Sequence, residues 1–288
     1  MLHLNLVNQE KSYIKYKINK FPDGQQSVDL AGFFNITDDI RIATRLNSFL
    51  DLEILICATK ALRNITTKPI HLYVPYFLGS RSDRKFGLGG VNYLKEVICP
   101  IINSLDFATV EVLDPHSDVL EACLNNYVKH SNFYLAKQAL TQIDNKGYYG
   151  TNGAKNSVCL VSPDAGAYKK VFDVAQKFNI DNVATATKVR DLKTGQILHT
   201  EVPNLPVSTT DEELKYVIID DICDGGRTFI ELAKAIQNQR PNAKLYLVVT
   251  HGIFSAGFDE LGKWFECIYT TNSYKDIDNE LVKQISIF

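Results

Sequence analysis

The sequence predicts an α/β protein of two tandem domains, each a mostly parallel sheet flanked by helices. Three observations carry that expectation. From about residue 40 onward, short β-rich runs alternate with longer stretches of helical periodicity, the pattern of βαβ units and hence of parallel sheets. The alternation stops at NKGYYGTNGAKN (145–156) and then restarts; that Gly- and Asn-rich composition marks a linker. The 288 residues, 45% hydrophobic and 22% charged, suffice for two cores of ordinary size. The boundary is placed at 143/144, giving domains over 1–143 and 144–288.

In the first domain DIRIATRL reads as a strand. From Ser48 to Leu62, the residues Leu52, Leu55, Ile56 and Thr59 recur at helical spacing. The apolar run IHLYVPYF (70–77) suits a strand buried on both faces. A Gly-rich loop leads to a helix near Val91–Ile102 and then to the strand TVEVLD (109–114). A long helix is expected from Ser117 to about Ile143. In the second domain SVCLVSP is a strand and Tyr168–Phe178 a helix. NVATATKV and QILHTEV form a hairpin pair joined by the polar KVRDLKTG. KYVIIDDIC is a strand, RTFIELAKAIQNQ a helix, KLYLVVTHGIF a strand, DELGKWF a short helix and CIYTTN the last strand.

The bulk numbers exclude several function classes. A net charge of −2 gives no global attraction to nucleic acid or to an anionic membrane, so any phosphate binding has to be local. No apolar window approaches the roughly 18 residues of a membrane span. The opening MLHLNLVNQEKSY lacks the basic-then-apolar layout of a signal peptide. Six cysteines, at 57, 99, 123, 159, 223 and 267, form no C-x-x-C pair and mostly lie in apolar runs. They read as the buried, reduced thiols of a cytoplasmic protein.

The most informative stretch is VIIDDICDGGRTF (217–229). An apolar strand delivers two adjacent acids, Asp220 and Asp221, and a Gly-Gly pair follows at the start of a helix. Glycines let backbone N–H groups converge on phosphate oxygens, and a helix N-terminus adds positive potential. Thr228 is expected to cap that helix and to offer its hydroxyl to the phosphate. A carboxylate at the strand end accepts hydrogen bonds from vicinal ribose hydroxyls. The expected ligand is a sugar phosphate.

This stretch resembles the phosphoribosyl-diphosphate loop of type I phosphoribosyltransferases and of ribose-phosphate diphosphokinases (PRPP synthetases). Further segments resemble the diphosphokinases in order along nearly the whole chain, which implies two phosphoribosyltransferase-like domains. Ser-Pro-Asp-Ala-Gly (162–166) is similar to the segment whose aspartate, here Asp164, organises magnesium and substrate. Leu-Asp-Pro-His-Ser (113–117) is similar to an Asp-x-His whose histidine, here His116, coordinates magnesium close to ATP. Residues 75–85 resemble the loop that contacts the ATP phosphates, and Arg81, Asp83, Arg84 and Lys85 align with it. Three cations in five positions also suit a triphosphate on their own chemistry. Phe21-Pro-Asp-Gly-Gln25 resembles the segment that holds adenine across a subunit interface, with Phe21 stacking on the base and Asp23 and Gln25 bonding its edge. The loop 187–195 resembles the mobile catalytic loop, with Lys188 and Arg190 as its two cations. Thr250-His-Gly-Ile-Phe-Ser255 matches a scaffold segment near the site.

The resemblance implies a magnesium-dependent transfer of diphosphate from ATP to the anomeric hydroxyl of ribose 5-phosphate, with AMP leaving. It also implies a homodimer, often assembled into a homohexamer. Asp220 and Asp221 would hold the ribose hydroxyls or their metal, and 224–228 the 5-phosphate. One departure stands out. Similar loops read Asp-Thr-Gly-Gly-Thr, whereas here the order is Asp224-Gly225-Gly226-Arg227-Thr228. A cradle that loses a hydroxyl and gains an arginine suits a 5-phosphate carrying a substituent, as in ADP-ribose, the acceptor of similar phage enzymes of NAD rebuilding. Two other classes remain open: a salvage phosphoribosyltransferase, and a non-catalytic nucleotide-binding regulator.

Overall fold

The periodicities build two large parallel sheets, each organised by which rows of side chains its strands turn inward. The computed structural model describes residues 1–32, 36–85, 87–144, 157–190, 197–207 and 214–288. They divide into two compact units, Met1–Ser131 with Phe288, and Asn132–Ile287.

The first unit contains β1 (Leu2–Asn5), β2 (Lys15–Lys20), β3 (Gln26–Ala31), β4 (Ile40–Ala43), α1 (Phe49–Arg63) and β5 (Ile70–Tyr73). After these come a π-helical turn (Leu94–Ile98), α2 (Cys99–Asn103), β6 (Thr109–Leu113), α3 (Val119–Cys123) and β7 (Tyr127–His130). Five strands pair in parallel in the order β1-β4-β5-β6-β7. Ile40, Ile42, Ile70, Leu72, Val110 and Val112 form the inward row and pack with Leu52, Leu55 and Leu62 of α1 in one core. The intervening row is polar: Arg41 pairs with Glu111 at 2.7 Å, and its guanidinium lies 4.3 Å over the Tyr73 ring. Helix α1 starts where Ser48 closes a capping box: its hydroxyl accepts from the Asp51 N–H, and the Asp51 carboxylate accepts from the Ser48 N–H at 2.9 Å. The antiparallel hairpin β2–β3 lies against α1, with the Gln26 N–H donating to Glu53 at 3.1 Å.

The second unit contains α4 (Phe133–Asp144), β8 (Val158–Ser162), α5 (Tyr168–Phe178), β9 (Val183–Thr185), β10 (Thr187–Arg190) and β11 (Ile197–Glu201). It continues through β12 (Lys215–Cys223), α6 (Arg227–Gln239), β13 (Lys244–Gly252), β14 (Cys267–Thr271) and β15 (Val282–Ile285). Six strands pair in parallel in the order β15-β14-β13-β12-β8-β9. Tyr216 and Ile218 of β12 pack with Phe229, Leu232 and Ile236 of α6. Val217 and Ile219 pack with Leu135 and Leu140 of α4 and Val171 and Val174 of α5. Both faces are covered, which is why this strand reads as an unbroken apolar run.

Several expectations are corrected. The stretch 117–143 is not one helix but α3, β7 and α4. Asn126 takes a left-handed turn (φ 55°) and donates from its amide to the Phe107 carbonyl at 2.9 Å, so the chain turns back and pairs β7 with β6. The structure divides at Ser131/Asn132 rather than at 143/144, because α4 gives Leu135, Ala136, Ala139 and Leu140 to the second unit's core. The helix expected near Val91–Ile102 starts at Leu94 as a π-helical turn, with Asn92 Oδ1 accepting from the Lys95 N–H at 2.9 Å. Only Thr187–Arg190 pairs with Ile197–Glu201 as a hairpin; Val183–Thr185 pairs in parallel with β8 instead. DELGKWF forms a 3-10 turn at Leu261–Lys263. CIYTTN is followed by one more strand, β15. All six cysteines are free, and burial pushes the Cys159 thiol up to about 12. Among the described residues no helix is long and apolar enough to cross a membrane.

The capping box makes a stability prediction. Ser48→Ala should cost about 1 kcal/mol and Ser48→Gly only a few tenths, read from urea unfolding midpoints. No measurable loss in Ser48→Ala would mean that the serine side chain does not start the helix.

Candidate active site

Parallel strands deliver their last side chains to one edge of a sheet, so the segments leaving β8, β12 and β13 are neighbours at the carboxyl edge of the second unit. Central β12 brings Asp220 and Asp221 there. Asp221 continues the row Val217–Ile219 that faces α4 and α5, and its side chain is only 8% exposed. Lys170, in the first turn of α5, reaches it at 3.4 Å. Asp220 Oδ1 accepts from the Asp221 N–H at 2.9 Å. Burial, and then the neighbouring Asp221 carboxylate, raise the Asp220 pKa well above its ordinary value near 3.8, while Lys170 and the Asp221 N–H oppose that rise.

The chain then turns through Asp224, Gly225 and Gly226 into α6. Gly226 is the N-cap in a left-handed conformation (φ 80°), and a Cβ there would stand 3.0 Å from Leu261, so glycine is required. Gly225 differs: a Cβ there would meet nothing closer than Ser255 Oγ at 3.8 Å. Because Gly226 is the cap and no side chain bonds the cap position, Thr228 does not cap the helix as expected. Thr228 and Arg227 are exposed in the first turn of α6.

The segment after β13 holds this turn in place. The Cys223 carbonyl accepts from the Ile253 and Phe254 N–H groups at 2.9 and 3.1 Å, and the Asp224 carbonyl from the Ser255 N–H at 3.2 Å. Ser255 Oγ donates to Asp224 Oδ1 at 2.6 Å. Beneath it, the Thr250 carbonyl accepts from Thr271 Oγ1 at 2.7 Å and Ser273 Oγ at 3.2 Å, and buried His251 meets Ser273 Oγ at 2.8 Å. After β8, Asp164 Oδ1 accepts from the Gly166 and Ala167 N–H groups at 3.0 and 3.2 Å, bending the chain into α5. Lys188 and Arg190 belong to β10; their side chains, and residues 191–196, lie outside the described residues.

In the first unit, the segments after β5 and β6 share the carboxyl edge, tied by the Leu113 N–H donating to the Pro75 carbonyl at 3.2 Å. One carries Arg81, Asp83, Arg84 and Lys85. The Asp83 carbonyl accepts from Asn92 Nδ2 at 2.7 Å, Lys85 pairs with Glu96 at 3.1 Å, and Arg81 and Arg84 are exposed. The other carries His116, which is exposed and follows Asp114 in a left-handed conformation (φ 44°). Phe21, Asp23 and Gln25 form the exposed tip of hairpin β2–β3, where the Phe21 N–H donates to the Gln25 carbonyl at 2.9 Å and Asp23 Oδ1 accepts from the Gln25 N–H at 3.2 Å. Among the described residues no three His, Cys, Asp or Glu side chains gather as a metal site.

Two residues escaped the sequence reading. Ser255 fell in a segment taken as scaffold, and its role depends on a contact 31 positions away. Lys170 left a faint signal: α5 has no acid in its first turn, and a cation there opposes the helix dipole, which calls for a carboxylate from elsewhere.

No protein-family model matches the chain. The ribose-phosphate pyrophosphokinase of Marinomonas sp. is 25% identical over 240 residues, covering 83% of this chain and 71% of that protein. The enzyme of the same name from Sulfurisphaera tokodaii is 23% identical over 282 residues, covering 94% and 83%. The crystal structure of phosphoribosylpyrophosphate synthetase from Mycobacterium smegmatis matches 97% of this chain and 88% of its own, with a TM-score of 0.75 at 17% identity. That likeness is one of fold and bears out the α/β class with parallel sheets flanked by helices.

Folding raises the Asp220 pKa, so the stability this acid contributes is full below about 3.8 and is lost as pH climbs through the raised value. Asp220→Asn should therefore melt above the wild type at about pH 8, with the gap narrowing toward about pH 4. A variant that melts below the wild type at the higher pH would show that the carboxylate stabilises the fold.

Proposed function

We propose that this chain is a member of the ribose-phosphate pyrophosphokinase family, which it resembles, and transfers the β,γ-diphosphate of ATP to the anomeric hydroxyl of a ribose bearing a 5-phosphate. The observation that carries this reading is the edge after β12, where two acids precede a left-handed glycine N-cap on a 13-residue helix. A ribose laid there has carboxylates for its hydroxyls and converging N–H groups for its 5-phosphate. The anomeric oxygen attacks the β-phosphorus, the bond to the α-phosphate oxygen breaks, AMP takes the electron pair and the hydroxyl proton passes to solvent.

Phosphoryl transfer is mostly positioning and electrostatics. Asp220 and Asp221 orient the ribose, and the turn 224–228 anchors it. Arg81 and Arg84 draw in the triphosphate, with Lys85 and Asp83 on the same loop. Lys188 and Arg190 bring positive charge to the oxygens that gain charge. Phe21 at the hairpin tip, with Asp23 and Gln25, takes adenine in an assembly of two or more copies. Asp164 and His116 each sit on the carboxyl edge of their own unit. Magnesium needs only one or two protein ligands beside substrate oxygens, so the absence of a ready-made cage among the described residues is compatible with it. Each of those two residues would be a candidate magnesium ligand on its own unit, and a bound magnesium would supply charge neutralisation to the phosphates.

Ribose 5-phosphate is the acceptor in this reading, giving PRPP. A second acceptor, ADP-ribose, is favoured by Gly225. That position has neither a positive φ nor a crowded Cβ, so nothing in the fold demands glycine, and the bare backbone leaves room beside the 5-phosphate. Arg227, exposed in the next turn, suits a second phosphate.

Product mass spectrometry with ATP and magnesium separates the acceptors. The 1-diphosphate of ribose 5-phosphate, of ADP-ribose, or of both is the expected outcome, and no AMP with either would overturn the diphosphokinase reading. If Gly225 and Arg227 set the choice, the double variant G225T/R227G should shift kcat/KM toward ribose 5-phosphate by about tenfold or more, since a hydroxyl donor is worth that much in a polar site. An unchanged ratio would remove these residues from acceptor selection.

A further inference from the structure

The acidic pair near the end of β12 is held from the side by a group outside the strand and loop. Lys170 stands in the first turn of α5, against the helix dipole. Its side chain is 19% exposed and that of Asp221 8%, so the ion pair at 3.4 Å is largely withdrawn from water. A carboxylate buried to that degree needs a partner charge. Asp220, one residue earlier, is the other acid of the pair and has its backbone neighbour's N–H as a donor. Two adjacent carboxylates repel, and the ammonium on the α5 side draws Asp221 toward that helix.

We propose that Lys170 is a positioning residue of the acceptor site: its ammonium fixes the Asp221 carboxylate against α5, so that the acidic pair meets the ribose hydroxyls in one preset arrangement. This rests on the reading of 220–228 as the ribose-phosphate site. The effect of Lys170 is on acceptor binding, through Asp221, and it depends on positive charge at that place.

Steady-state kinetics with the acceptor that the wild type uses provide the test. In Lys170→Met the KM for the acceptor should rise about tenfold, the size of coupling found inside one ion-pair network. The KM for ATP should move less than about twofold. Lys170→Arg, which keeps the charge, should recover most of the loss. In the double variant K170M/D221N both charges are gone, which keeps the test open if Lys170→Met alone does not fold. Its acceptor KM should match that of Asp221→Asn, because Lys170 then has nothing to position. An acceptor KM unchanged in Lys170→Met, or a double variant whose losses simply add, would overturn the inference. A wild type that releases no AMP with any acceptor would instead overturn the diphosphokinase reading.

Discussion

A parallel strand can be followed by another only if the chain crosses over and comes back to the same starting edge. The rest of the structure depends on that constraint. Each crossover leaves at the carboxyl edge, so loops, helix starts and strand-end side chains accumulate there. In the second unit this puts the N-termini of α5 and α6 beside the acids of β12. Backbone N–H groups that find no partner in a helix's first turn thus lie close to carboxylates. A ligand with hydroxyls at one end and a phosphate at the other matches that polarity.

The same arrangement has an electrostatic cost. Asp220 is held above its usual pKa by burial and by Asp221, against the pull of Lys170. Such sites trade stability of the empty protein for binding of the ligand. Hydrogen bonds from a ligand's hydroxyls, or positive charge arriving with it, would lower the cost that burial imposes on Asp220. The turn from Asp224 to Gly226 is better supported, because its carbonyls and carboxylate are already engaged by 253–255.

Much of this was legible in the sequence, and the reasons are local. Helices α5 and α6 and strand β12 announce themselves by apolar spacing, and Asp220-Asp221 interrupts an apolar run abruptly enough to mark a strand end. β7 was not legible, because YVKH at the sheet's edge has no buried run to give it away; β15, with VKQI, failed to show for the same reason. Thr228 looked like a cap because hydroxyl residues usually are, but the left-handed backbone of Gly226 takes that position. Lys170 and Ser255 act on residues of other elements, and no spacing rule reports such contacts. The domain boundary shifted because α4 packs with the strands that follow it, a preference written in tertiary contacts and invisible in linker composition.

The strand order of the second unit also bears on how it assembles. β12 pairs with β13 across the short connection 224–243, but with β8 only after 163–214 have been spanned, the longest separation closed by any strand pair in either sheet. Loop closure is entropically costly before contacts reward it, and such non-local pairings slow folding. The β8–β12 seam also joins the segment bearing Lys170 to the one bearing Asp221. The ion pair of Lys170 and Asp221 thus forms together with the longest-range pairing of the sheet, which ties the burial of this charge to the closure of that seam.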